Sequence, residues 1–316
     1  MLSSDLYDFS KNLNMKKIHF LLVVVVSALI IFSCNQKKDS DKQDTILTGS
    51  VSILVDETIL PIIEDQVMVF ENQYDAKIKL IGKSEMEIVK LLSEGKYDLA
   101  ILTRSLSPGE AKVFDEKKIK PKETLLAMDA VAFIANKSDS NIKIDLNDIS
   151  AFMQEKDQSK FAGLVFDNAN SSTVAYMKKV AGIQQLPKHK IFSFNNNNEV
   201  IEFVSKNKGM VGVVGVNWIS QPSPEFQSIV DNVSVLEVKT KNGNFVQPTQ
   251  DQIGRQTYPA TRVIKMLNYQ GYSGLGMGFA SFVAGEIGQR IILKSGLVPM
   301  RMPSRNIIVR KEIEKK

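Results

Sequence analysis

Residues 51–103, VSILVDETILPIIEDQVMVFENQYDAKIKLIGKSEMEIVKLLSEGKYDLAILT, decide the fold class. Three short apolar runs, at 51–55, 77–82 and 98–103, are separated by two segments with helical patterns. The second of these helical segments begins at Ser84, a residue type that caps helix N-termini. Strands separated by helices predict parallel βαβ units in a doubly wound α/β sheet.

The alternation of strand and helix patterns continues beyond this stretch. Further strands are predicted at 130–136, 163–167, 210–215 and 306–309, and further helices at 107–118, 171–181, 198–207 and 278–296. The polar, turn-rich segment 239–254 is typical of a crossover between domains. We therefore predict two discontinuous α/β lobes, one formed by 47–127 together with 250–316 and the other by 128–249 with its crossover.

Composition sets limits on the class of protein. A chain of 316 residues is longer than one compact core usually covers, which favours two domains, and a 43% apolar content excludes a disordered chain. The sequence contains one cysteine and two histidines. Thiolate metal clusters are therefore excluded, and histidine-based metal sites and nucleophilic catalysis are strongly disfavoured. We predict no metal, no cofactor and no enzymatic activity.

The N-terminal segment has the pattern of an export signal. Lys16 and Lys17 precede the apolar run at 20–32, which at 1.5 Å per residue is too short to span a ~30 Å hydrocarbon layer. The following Ser33-Cys34 resembles the end of a bacterial lipobox, which implies a lipid-modified Cys34. The alternative is that Cys34 is an ordinary buried cysteine.

These features predict the processing and location of the protein. Residues 1–33 are interpreted as a lipoprotein signal peptide whose true start is Met15, and 34–46 as a polar tether. The expected location is outside the cytoplasm, anchored by lipid to a bacterial membrane on its periplasmic or cell-surface side.

The positive net charge does not indicate a nucleic-acid partner. Of the formal charge of +5, residues 301–316 carry +4 and residues 34–300 sum to zero. Basic residues are concentrated in the tail and are not interleaved with aromatic residues along the body, so no nucleic-acid surface is predicted.

Hydroxyl side chains follow three of the predicted strands. Thr58 comes after 51–55, Ser84 after 77–82, and the run Asn170-Ser171-Ser172-Thr173 after the strand at 163–167. Helix N-termini at the carboxyl ends of strands hold oxyanions, because their amide groups are unpaired and the helix dipole is positive there. Each residue taken alone is also explained as a simple helix cap.

The order of segments resembles the periplasmic phosphate-binding protein family, the substrate-binding lipoproteins of phosphate-type ABC importers. The matching segments are GSVSILVDET (49–58), the helix begun by Ser84, YDLAILTRSLSPGEA (97–111), MDAVAFIAN (128–136), NSSTVAYM (170–177), KGMVGVVGVNW (208–218), YPATRVIKML (258–267) and GFASFVAGEIGQRIILKSGLVP (278–299). The resemblance implies a two-lobed, type II periplasmic binding fold that closes on phosphate or a related oxyanion. It also implies an ABC permease as partner, and we expect the protein to be a monomer.

Carried over to this sequence, the resemblance implies that Thr58 and Ser84 contact the ligand from the first lobe. Residues 170–173 would do so from the second, with Ser171, Ser172 and Thr173 matching the Ser-Gly-Thr loop of the family. Ser172 replaces the glycine of that loop. Many members carry an arginine four residues before the loop, where this chain has Asp167.

Two charged residues are further candidates for the site. Arg104 would supply the missing positive charge, or it forms a salt bridge without contacting ligand. Asp129 would accept a proton from protonated phosphate, or it orders the hinge. Because the arginine is absent, a paralogue with a different ligand, or a structural or adhesion lipoprotein that keeps the fold, remains the alternative function.

Overall fold

The computed structural model describes residues 44–301, except 117, 119 and 158. The predicted signal peptide, Cys34 and the predicted strand at 306–309 lie outside the described residues.

Strands and helices alternate along the described chain, as the sequence predicts. The strands are β1 Gly49–Asp56, β2 Ala76–Lys83, β3 Leu99–Leu102, β4 Lys122–Asn136, β5 Lys143–Ile144, β6 Gly163–Phe166, β7 Ile191–Ser193, β8 Met210–Gly215, β9 Val233–Val235, β10 Glu237–Lys239, β11 Phe245–Val246, β12 Thr261–Asn268 and β13 Val298–Pro299. The helices are α1 Leu60–Gln73, α2 Glu85–Ser93, α3 Pro108–Glu116, α4 Leu146–Met153, α5 Ser172–Ala181, α6 Asn197–Lys206, α7 Asn217–Ser220, α8 Gln227–Val230, α9 Gln250–Gly254, α10 Leu275–Ala284 and α11 Glu286–Lys294, with a 3₁₀ turn at Lys137–Asp139.

The N-terminal strands form the predicted parallel arrangement. β1 lies between β2 and β3 and is parallel to both. The apolar residues of β1 and β3, including Ile53, Val55 and Ile101, are fully buried, because helices cover both faces of a parallel sheet. All three strands end at the same edge of the sheet, where Thr58 and Ser84 follow β1 and β2.

The long strand β4 joins two groups of strands. It pairs antiparallel with β12 over Lys122–Ala130 and with β8 over Val131–Ala135. Beyond β8 the sheet continues through β6 and β7, which are parallel to each other and to β8. Within the described residues the result is a curled mixed sheet of ten strands, and a separate sheet contains β5, β10 and β11. The residue boundaries predicted for the two lobes stay a prediction.

Two predicted elements differ from the structure. The strand predicted at 130–136 begins eight residues earlier, at Lys122, because its first half is paired with the distant strand β12. The single helix predicted at 278–296 is two helices, α10 and α11, interrupted at Gly285, whose backbone is extended with ψ 178°. Across the described residues, no helix combines the length and apolar character needed to cross a membrane.

Candidate functional site

The segment after β1 and the N-terminus of α5 meet in the interior. The hydroxyl oxygens of Thr58 and Ser172 lie 3.1 Å apart and share a hydrogen bond, although 113 residues separate them along the chain. Both side chains are buried. The start of α2 approaches the same place, since the Met86 amide donates to the Asn170 carbonyl at 3.5 Å. The structure therefore brings together Thr58, the helix capped by Ser84 and the 170–173 loop.

The four residues of the 170–173 loop play different parts. Ser171 is the N-cap of α5: its hydroxyl accepts a hydrogen bond from the Val174 amide at 3.2 Å and donates to Asp167 at 2.5 Å. Thr173 is fully buried, and its hydroxyl has no hydrogen-bond partner among the described residues. The Asn170 side chain is exposed. Of the loop hydroxyls, that of Thr173 is thus unpaired among the described residues, and that of Ser172 is shared with Thr58.

Ser84 caps α2 in the way expected of a helix N-terminus. Its hydroxyl donates to the Glu87 carboxylate at 2.9 Å, and its amide approaches the same oxygen at 3.4 Å. The side chain is 1% exposed. Its hydroxyl proton is already used within the helix, so Ser84 would offer a ligand only its oxygen lone pairs unless the hydroxyl rotates.

A buried arginine that the ligand assignment from sequence missed lies next to Ser172. Arg262, on β12, donates to one carboxylate oxygen of Asp129 through Nε, at 3.0 Å, and again through Nη2. Its Nη1 donates to the Ser172 hydroxyl at 3.1 Å. The residue is 5% exposed. Arg262 lies opposite Asp129 where β12 pairs with β4, and this pairing could not be read from the sequence.

Arg104 is held by acidic side chains. Its Nε donates to Glu85 at 2.8 Å, and its two terminal nitrogens donate to the two Glu110 oxygens at 2.7 and 3.0 Å. Partial burial of Glu110 disfavours its charge, but hydrogen bonds from Arg104 and Ser107 outweigh burial and lower its pKa to about 2. Arg104 lines the cleft, and these two carboxylates balance its guanidinium charge.

The site contains more carboxylates than cations. Asp56 and Asp129 are fully buried, and each has one carboxylate oxygen without a hydrogen-bond partner among the described residues, as does Glu57. Burial raises the pKa of Glu57, and Asp56 raises it further. Burial also raises the pKa of Asp129, against the opposing effect of Arg262. The free oxygen of Asp129, beside Arg262, favours a ligand that brings a hydrogen-bond donor.

Asp167 occupies the position where the phosphate-binding family often has arginine. Its oxygens accept hydrogen bonds from the Ser171 hydroxyl and from the Asn197 amide nitrogen, the latter at 3.1 Å. Burial raises the pKa of Asp167 to about 7, although the bond from Ser171 opposes this. The side chain supports the 170–173 loop and is an ionisable group close to the site.

Two residues that follow β8 donate hydrogen bonds to the backbone of Thr58. The Thr58 carbonyl accepts hydrogen bonds from the Asn217 side chain at 3.1 Å and from the Trp218 indole at 2.7 Å. Gly215 makes this approach possible, since a Cβ there would lie 2.9 Å from the Thr58 methyl group. Trp218 is therefore a direct contact of the segment that carries Thr58.

A cleft of about 790 Å³ opens beside these residues. Glu85, Arg104, Ser172 and Arg262 line its inner part. Within the described parts of the chain, no group of three or more histidine, cysteine or acidic residues is arranged to hold a metal ion. The hydroxyl groups, the helix amides and Arg262 supply hydrogen-bond donors for an anion, although Asp129 balances the charge of Arg262.

Comparison with known proteins defines the family of this chain. A family model described as the PBP superfamily domain matches residues 39–286. The chain belongs to the PBP superfamily. A curated relative of this PBP superfamily member, the phosphate-binding protein PstS of Staphylococcus aureus strain USA300, is 22% identical over 266 residues, which cover 78% of this chain and 77% of that protein.

Solved structures share the fold of this PBP superfamily chain. One is a substrate-binding protein from Clostridium perfringens, assigned to phosphate ABC transport and solved with bound phosphate; its TM-score is 0.66 at 20% identity, and the match covers 80% of this chain and all of that one. An ABC-type phosphate transport receptor from Vibrio cholerae gives a TM-score of 0.63 at 17% identity, covering 79% of this chain and all of that one. The fold is therefore the type II periplasmic binding fold.

Proposed function

We propose that this protein is an extracytoplasmic solute-binding protein that captures phosphate or a related oxyanion and delivers it to an ABC transporter. The observation that carries the proposal is the buried hydrogen-bonded chain from Arg262 through Ser172 to Thr58, at the N-terminus of α5. A guanidinium, two hydroxyls and unpaired helix amides in one buried place form an anion-binding arrangement.

The relatives support the choice of phosphate among oxyanions. The Staphylococcus aureus relative is a phosphate-binding protein, and the Clostridium perfringens structure contains phosphate. The unpaired oxygen of Asp129, whose other oxygen binds Arg262, fits a protonated oxyanion better than a fully ionised one. The same proposal includes three further statements: the protein binds its ligand without converting it chemically, it is a monomer, and it carries a lipid anchor on Cys34.

Calorimetric titration of the full chain in mild detergent tests the proposal. Phosphate is expected to bind with micromolar or tighter affinity, and sulfate at least tenfold more weakly. Ser172→Ala removes the hydroxyl that contacts both Thr58 and Arg262, so we expect about a tenfold loss of phosphate affinity, or ~1.4 kcal/mol.

Ser228→Ala is the matched control, because Ser228 is exposed on α8. It should bind phosphate like the unmodified chain. No heat with phosphate, sulfate or arsenate would reject oxyanion binding and favour a structural role, whereas equal losses in the two variants would reject the assignment of Ser172.

A further inference from the structure

The cleft beside the proposed oxyanion site is much larger than an oxyanion needs. Phosphate has five non-hydrogen atoms, whereas a cavity of about 790 Å³ falls in the range of roughly 300–1,000 Å³ that holds drug-sized organic ligands. The cleft is continuous with the site, since Ser172 and Arg262 belong to its wall. A ligand bound at Ser172 could therefore extend into it.

The outer wall of the cleft combines apolar and cationic side chains. Leu106 and Pro108 line one side, and Ala175, Tyr176, Lys178 and Lys179 line the other. The four residues on the second side follow Ser172 along α5, and seven residues of helix place Lys179 about 10 Å beyond it. Side chains on a helix lean toward its N-terminus, so both lysines lean back toward Ser172.

The two lysines differ from the arginines of the cleft in their charge balance. Arg104 is paired with Glu85 and Glu110, and Arg262 is paired with Asp129. Neither Lys178 nor Lys179 forms an ion pair with any residue that the structure describes. The outer part of the cleft therefore carries positive charge that an anionic ligand would meet.

We propose that the cleft binds phosphate monoesters whose organic part carries a second anionic group. The phosphoryl group would bind at Ser172 and Arg262, and the organic part would occupy the space between Leu106 and Tyr176. The second anionic group would then reach Lys178 and Lys179. This inference rests on the proposed oxyanion site and narrows its ligand class.

Titration of the full chain with three probes tests the ligand class. The probes are inorganic phosphate, glycerol 3-phosphate and 3-phosphoglycerate, and the last two differ by a carboxylate in place of a hydroxymethyl group. We expect all three to bind, with 3-phosphoglycerate at least fivefold tighter than glycerol 3-phosphate. Phosphate binding without ester binding would overturn the inference and leave the proposed function intact, whereas binding of none would overturn both.

Two variants test the position of the organic part. Lys178→Ala/Lys179→Ala is expected to weaken 3-phosphoglycerate binding about tenfold and phosphate binding less than twofold. Ala175→Phe fills the cleft and is expected to weaken both esters while sparing phosphate. The charge-matched control Lys156→Ala/Lys241→Ala alters two exposed lysines outside the cleft and should change nothing. Equal losses for phosphate and ester in the first two variants would overturn the assignment.

Discussion

Asp167 shows how one residue changes the electrostatics of the candidate site. A carboxylate close to the 170–173 loop opposes an anion there unless it is protonated. Both of its oxygens accept hydrogen bonds, which favours the ionised form, but burial is the larger effect and raises its pKa to about 7. Near neutral pH the side chain is thus divided between the two forms.

Phosphate affinity should depend on the protonation of Asp167. Below pH 7 the proton removes a negative charge near the loop, so binding should strengthen as pH falls. Asp167→Asn keeps the group neutral at every pH. The affinity of the variant relative to the unmodified chain should therefore rise about tenfold, or ~1.4 kcal/mol, between pH 6 and pH 8.5, as measured by calorimetry.

Comparing the two proteins at each pH cancels the ionisation of phosphate itself. An unfavourable contact between the new amide and Asn197 adds an offset that does not change with pH. Since the folded pKa exceeds the unfolded value, the contribution of Asp167 to the free energy of unfolding also falls as pH rises from about 4 to about 7. An affinity ratio that stays constant between pH 6 and pH 8.5 would contradict the prediction.

The junction of α10 and α11 illustrates what a single small residue does for an element. Gly288 lies in the first turn of α11, and a Cβ there would lie 2.5 Å from the Val283 Cα and carbonyl oxygen. Its own carbonyl accepts a hydrogen bond from the buried Gln66 side chain on α1 at 2.9 Å. The close packing of these three helices therefore depends on the missing side chain.

Gly288→Ala should destabilise the fold. The atoms in the way belong to the backbone, which must shift to admit a methyl group, so we expect a loss of about 1–3 kcal/mol in the free energy of unfolding. Urea denaturation followed by circular dichroism measures it. Gly271→Ala is the control, because a Cβ at Gly271 meets no atom within 4 Å. Equal midpoints for the two variants would show that the helices can separate without cost.

The helices and strands also show which sequence patterns are sufficient to predict an element. β8 was predicted with its observed bounds, and α3, α5 and α6 within two residues, because buried strands and capped amphipathic helices carry local patterns. The first half of β4 was missed because Lys122–Leu125 is polar or exposed, and it is a strand only through its pairing with β12, about 140 residues later. Pairing with a distant strand leaves little signal in the local sequence.

At the scale of the whole molecule, the proposed export and anchoring depend on the N-terminal segment. If Cys34 receives lipid, a single cysteine sets the location of the protein. Cys34→Ser should therefore move most of the protein from the membrane fraction to the soluble extracytoplasmic fraction of the native host, as measured by fractionation and immunoblotting, and should abolish incorporation of labelled palmitate. Ser33→Ala is the control, since alanine is also a small residue before the cut. Retention of Cys34→Ser in the membrane fraction would contradict anchoring through this residue.

The sequence by itself determined the alternation of strands and helices, the hydroxyl groups after the strands and the shortage of metal-binding residues, because each depends on residue type and on neighbours close along the chain. Only the tertiary structure decided that Arg262 pairs with Asp129 and reaches Ser172, while Arg104 is balanced by Glu85 and Glu110. The charge available to a ligand depends on which opposite charges lie within a few ångströms. Those neighbours come from strands and helices that are distant in sequence, so the balance exists only once the chain has folded.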